Sequence, residues 1–77
     1  MNTLQRDQAL EDLRRLSTEL TQAFATAGDA AYAVDVPGGP TACGADMREV
    51  TSQLLASLQT VVTVIRRVEE QEEESGE

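Results

Sequence analysis

The stretch from Met47 to Val68, reading MREVTSQLLASLQTVVTVIRRV, leaves this chain the least conformational freedom. Its apolar residues Met47, Val50, Leu54, Leu58, Val61, Ile65 and Val68 recur at steps of three and four, which lays a continuous stripe along one side of a helix. An earlier series, Leu10, Leu13, Leu16, Leu20, Phe24, Ala27, Ala31 and Val34, keeps the same steps. It crosses Gly28 without losing phase, although a glycine inside a helix costs about 1 kcal/mol relative to alanine.

Ending the first helix at Ala27 would leave a long structureless connection before Met47, which a domain this small does not accommodate. The pattern therefore predicts a helix over 3–34. An alternation of Tyr32, Val34 and Val36 as a short extended segment is the competing reading of its end. Thr3 is the expected N-cap, with the acid Asp7 in the opening turn.

Pro37-Gly38-Gly39-Pro40 removes backbone donors and admits the dihedrals of a reversal, so 35–40 reads as the tip of a hairpin. A second helix over 41–70 follows. Its cap is Thr41, or else Asp46 with Glu49 completing a capping box. The stripe extends back from Met47 to Cys43, which makes Cys43 a small buried residue rather than a reactive one. Proximity to a helix start leaves an intermolecular disulfide as the minor alternative.

Arms of this length give a rod of roughly 45 Å. Folding about the tip pairs residues whose numbers add to about 75. That sets Leu20 beside Leu54 and Leu55, Leu13 beside Val61 and Val62, Leu10 beside Ile65, Ala31 beside Gly44 and Arg6 beside Glu69. Glu11 stands four residues before Arg15, a favourable helical spacing.

The formal charge is −8, from fourteen acids and six basic residues, all arginine. Six glutamates (Glu69, Glu70, Glu72, Glu73, Glu74 and Glu77) crowd the last nine residues, and 71–77 is expected to be a disordered acidic tail. Net negative charge argues against nucleic acid and anionic membranes, which are bound through Lys and Arg. No apolar run approaches the ~20 residues of a membrane span. Nothing at the start reads as a cleaved signal, so the expected location is the cytoplasm, with any export following a route that reads no such signal.

Histidine and lysine are absent, and Cys43 is the single thiol. A nucleophile would lack its usual base, and no zinc or calcium spacing is present. The expectation is a non-enzyme without cofactor, metal or small-molecule substrate.

One cysteine also excludes an internal disulfide, and a chain of 77 residues buries little core without a staple. The second helix moreover carries Leu55, Val62 and Val64 off its main stripe, with Leu4 and Ala9 adding apolar surface on the first. Apolar residues around more than half a helix call for neighbours on two sides. The expected architecture is all-α: an antiparallel two-helix hairpin that pairs into a four-helix bundle. The expected interface comprises Leu13, Leu16, Leu20, Phe24, Met47, Val50, Leu54, Leu55, Leu58, Val61, Val62 and Ile65, facing a second copy or the helical region of a larger protein.

The short chain, two long helices, arginine-only basic usage and a glycine near the start of the second helix resemble the Trp-x-Gly superfamily of small type VII secretion proteins, in particular its tryptophan-lacking actinobacterial relatives. The resemblance covers most of residues 3 to 70. It implies side-by-side pairing of hairpins and a role as an exported substrate or as the partner of a larger effector. Where that family has its turn motif, this chain has Thr41-Ala42-Cys43-Gly44, so only the glycine matches. The family's C-terminal tyrosine followed by an acid is absent from Val68 to Glu77, and the sole tyrosine, Tyr32, lies in the other arm. The alternative is a cytoplasmic homodimeric scaffold or regulatory adaptor with an acidic tail.

Overall fold

A computed structural model describes residues 2–36, 38–39 and 41–75, with side chains through 71. Two helices account for nearly all of them: α1, Thr3–Asp35, and α2, Ala42–Ser75. They pack against each other as an antiparallel hairpin in a rod 61 Å long and 14 by 11 Å across.

α1 begins at Thr3, the residue expected to cap it, and its cap lies one residue earlier. Asn2, not Thr3, is the N-cap: its side chain accepts from the Gln5 N–H at 2.8 Å while the Gln5 side chain accepts from the Asn2 N–H at 3.1 Å. The reciprocal pair satisfies two orphan donors, where a lone Thr3 hydroxyl would satisfy one. Gly28 sits within α1, and Tyr32 and Val34 are helical rather than extended. The helix stops where Val36 turns extended (φ −95°, ψ 137°), its N–H still bonded to the Tyr32 carbonyl at 3.2 Å.

At the tip, Gly39 has φ +85°, a conformation that costs glycine little. Pro37 and Pro40 lie outside the described residues. Thr41 caps α2: its Oγ1 accepts from the Gly44 N–H at 2.9 Å, and its carbonyl accepts from the Ala45 N–H at 3.0 Å. The capping box at Asp46 and Glu49 does not form, because α2 has already started. Glu49 instead accepts from the Gln53 amide at 3.4 Å.

α2 runs on through Ser75, five residues past the expected end at residue 70. Gln and Glu are strong helix formers, and that propensity carries the backbone past the unfavourable dipole end. Gly76 and Glu77 lie outside the described residues. The longer α2 accounts for about half of the excess of the rod over the expected 45 Å, at ~1.5 Å per added residue.

Candidate interaction surface

The face each helix turns to the other carries a series that alternates steps of three and four, with Ala9, Ala23, Ala30 and Val64 half-buried beside it. On α1 the covered series is Arg6, Leu10, Leu13, Ser17, Leu20, Phe24, Ala27 and Ala31; on α2 it is Gly44, Met47, Thr51, Leu54, Leu58, Val61, Ile65 and Val68. This is a heptad seam, the pattern of an antiparallel coiled coil. Taking Leu10 and Gly44 as a positions, Leu13 and Met47 are d.

The seam takes in Arg6 ahead of the α1 stripe, leaves out Val34, which is 42% exposed, and departs from the stripes at three places between. Ser17 and Thr51 occupy it, while Leu16 and Val50, each 40% exposed, stand one residue outside. Stepping back three residues from Met47 reaches Gly44, which is buried, whereas Cys43 is exposed; the expectation of a buried thiol is corrected. Of the expected interface residues, Leu13, Leu20, Phe24, Met47, Leu54, Leu58, Val61 and Ile65 are half-buried in the seam, and Leu16, Val50, Leu55 and Val62 are exposed beside it.

Among the described residues, ion pairs cross between the helices near both ends of the rod. Arg14 Nη2 meets Glu69 Oε2 at 3.0 Å, and Arg48 Nη1 meets Asp35 Oδ2. The residue numbers add to 83 in both cases, so the pairs share one register, and all four residues are at heptad position e. The expected pairing of Arg6 with Glu69 is not made; Arg6 bonds Asp7 at 3.0 Å. The helix ends, Asp35 and Ala42, imply a backbone register near 77. Side chains lean toward their own helix N-terminus, so in an antiparallel pair partners reach toward each other from residues with a larger sum.

Asp35 is the hub of the tip. Its Oδ1 accepts from the Thr41 N–H at 2.9 Å and the Thr41 hydroxyl at 3.1 Å, and its other oxygen takes Arg48. The Arg48 hydrogen bond foremost, then the Thr41 N–H, holds its carboxyl below the usual aspartate range. The carboxyl group lies against the bare Cα of Gly44, where any Cβ would collide with it. An acid six residues before a threonine cap was the signal for this hub in the sequence.

The e flank is thus closed by ion pairs at both ends. The opposite, g flank carries Ala9, Leu16, Ala23 and Ala30 on α1 and Cys43, Val50, Ser57 and Val64 on α2, with no charge among them. Around the middle of the rod, residues 16–28 and 50–65 contain one ionisable group, Glu19. Within this band Thr18, Thr21, Thr51, Thr60 and Thr63 each donate their hydroxyl to the carbonyl four residues earlier, at 2.9 to 3.2 Å. Their donors are therefore satisfied before any partner covers them.

The four buried apolar residues, Leu10, Ala27, Ala31 and Val68, flank the middle of the rod, and no described residue of 11–26 or 45–67 is buried. The hairpin exposes 5541 Å². A compact monomer of this mass exposes about 4,600 Å².

Among the described residues, no group of three or more His, Cys, Asp or Glu side chains is gathered to hold a metal ion, and no helix is long and apolar enough to cross a membrane. A shallow open cleft lined by Arg6, Asp7, Leu10, Glu11 and Arg14 lies at the open end of the hairpin. Comparison with family models, curated proteins and solved structures returned no match.

Proposed function

We propose that this chain is a non-catalytic helical-hairpin module that works by laying its uncovered flanks against helices of another protein molecule, as a small type VII secretion substrate or the partner of a larger secreted effector. The observation that carries the interaction role is the absence of any buried residue along the described middle of the rod, where apolar and small residues extend beyond the seam. Such a surface is stabilised when helices cover it.

The type VII assignment is supported by the resemblance of the hairpin and by Gly44, the residue that matches the family's turn glycine. The test is expression in an actinobacterium with an active type VII system and in a strain lacking its secretion ATPase. Recovery from the culture filtrate of the first strain alone supports the assignment.

Retention in both strains favours the second reading, a cytoplasmic homodimeric scaffold or regulatory adaptor. Its supporting observation is the acidic end of α2, where Glu69 is held by Arg14 and Glu70 is exposed to a basic partner.

A further inference from the structure

We propose that Thr18 is a phosphoacceptor for an arginine-directed serine/threonine protein kinase, and that a phosphate there draws Arg14 away from Glu69 and charges the middle of the rod. The modification stands on its own observations; its regulatory meaning rests on the interaction role proposed above.

Three hydroxyls in the chain have an arginine three residues before them: Ser17 after Arg14, Thr18 after Arg15 and Thr51 after Arg48. A basic side chain at a fixed distance before the acceptor is the charge pattern such kinases read. Thr18 has a second arginine, Arg14, at four residues. The fold separates the three acceptors. Ser17 and Thr51 lie half-buried in the seam, where a phosphate would have to be held between the helices, whereas Thr18 stands one position outside it and is exposed. Thr18 is thus the one of the three that can carry a phosphate with the hairpin closed.

A kinase takes its acceptor in an extended stretch, so α1 must open locally around residue 18. None of residues 11–26 is buried, and a stretch with so little covered surface opens at lower cost than the layers around Leu10, Ala27 and Ala31. The arginines read by the enzyme are held only by exposed pairs, Arg14 to Glu69 at 3.0 Å and Arg15 to Glu11 and Asp12 at 3.6 and 3.9 Å. In the transfer, the bond from the γ-phosphorus of ATP to its bridging oxygen breaks and Thr18 Oγ1 bonds to that phosphorus. ADP leaves, and the hydroxyl proton passes to the catalytic carboxylate of the kinase.

The product rearranges the open-end half of the rod. The Thr18 hydroxyl no longer donates to the Arg14 carbonyl, 3.2 Å away. In its place stands a group of about −1.5 to −2 charge, three and four residues after Arg15 and Arg14, the spacings at which helix side chains meet. Glu19, the nearest acid on α1, lies about 100° round the helix. Two guanidiniums therefore close on the phosphate in charge-assisted hydrogen bonds, and Arg14 leaves the singly charged Glu69 for it. The band of residues 16–28 and 50–65, whose ionisable group is Glu19, gains a dianion that a docking helix would have to desolvate.

The experiment treats the full chain with calmodulin-dependent protein kinase II, which reads an arginine three residues before its acceptor, and ATP, and maps the product by mass spectrometry. One phosphate on Thr18 is expected. Incorporation should fall at least tenfold in Thr18→Ala and in Arg15→Ala, each checked for helicity by circular dichroism, and should persist in Ser17→Ala. In the phosphorylated chain, a phosphorus NMR titration should place the second phosphate pKa below the ordinary value of about 6, and Arg14→Ala should raise it.

No incorporation, or incorporation on Ser17 or Thr51 that survives Thr18→Ala, would overturn the site. A phosphate pKa unmoved by Arg14→Ala would overturn the transfer of Arg14 from Glu69. Either failure leaves the interaction role to the secretion test, which does not depend on phosphate.

Discussion

The carboxylate of Asp35, the last residue of α1, is held by the guanidinium of Arg48, one helical turn and a half into α2, and the Thr41 N–H and hydroxyl complete its ring of donors. One side chain thereby ties the end of the first helix to the start of the second. The positive end of the α2 dipole adds to the preference for an anion there.

This hub makes stability depend on acid. The folded-state pKa of Asp35 is lowered, chiefly by the Arg48 hydrogen bond, so its contribution is complete above the unfolded value and is lost as pH falls through the lower folded one. Thermal melts followed by circular dichroism should therefore show the native chain more stable than Asp35→Asn at neutral pH. The gap should close below about pH 4. A gap independent of pH would show that the charge on Asp35 is not what holds the tip.

Two glycines in helices should respond in opposite directions to alanine. Gly28 has nothing near its missing Cβ, so Gly28→Ala should stabilise by up to about 1 kcal/mol through helix propensity. Gly44→Ala gains the same propensity but pushes a Cβ into the Asp35 carboxyl, which must move and surrender its donors. Overpacking of this kind costs about 1–3 kcal/mol and should win. Urea titration of both variants measures the contrast.

Seam and flank should separate by mutation. Leu54 is half-buried between the helices, and Leu54→Glu should cost about 2 kcal/mol or more and reduce helicity at every concentration. Val50 stands outside the seam on the g flank, so Val50→Glu should spare the α1–α2 contact. The native melting temperature should rise with protein concentration, and Val50→Glu should abolish that rise.

The Arg14–Glu69 pair should matter little. Both side chains are about half exposed, at 59% and 45%, and exposed pairs contribute about 0.2–1 kcal/mol. A double-mutant cycle of Arg14→Ala with Glu69→Ala should return a coupling in that range at low salt, shrinking toward zero at 1 M NaCl. Its main effect is on register, since it repeats the e-to-e contact made at the tip.

The hairpin was legible in the sequence because apolar spacing and the Pro-Gly-Gly-Pro tip are both local signals, and Thr41 reads as a cap from its position alone. The seam was legible only approximately. Hydrophobicity selects Leu16, Val50 and Cys43, whereas coiled-coil geometry selects Ser17, Thr51 and Gly44, and packing obeys the geometry. Pairing Cα levels also hid the partnership of Arg14 with Glu69, because it ignores the lean of side chains along each helix. The reach of α2 through Ser75 was missed because charge repulsion at the acidic end was weighed above the helix propensity of Glu and Gln.

The threonine hydroxyls turned back onto their own helices change what an approaching molecule encounters. With those protons bonded to backbone carbonyls, the exposed Thr18, Thr21, Thr60 and Thr63 offer chiefly their methyl groups to a partner. A chain whose mean hydropathy is −0.32 thus wears a hydrocarbon coat over its midsection that residue-by-residue scales do not register. Replacing these threonines by valine would keep the outline of that coat, whereas serine would strip it.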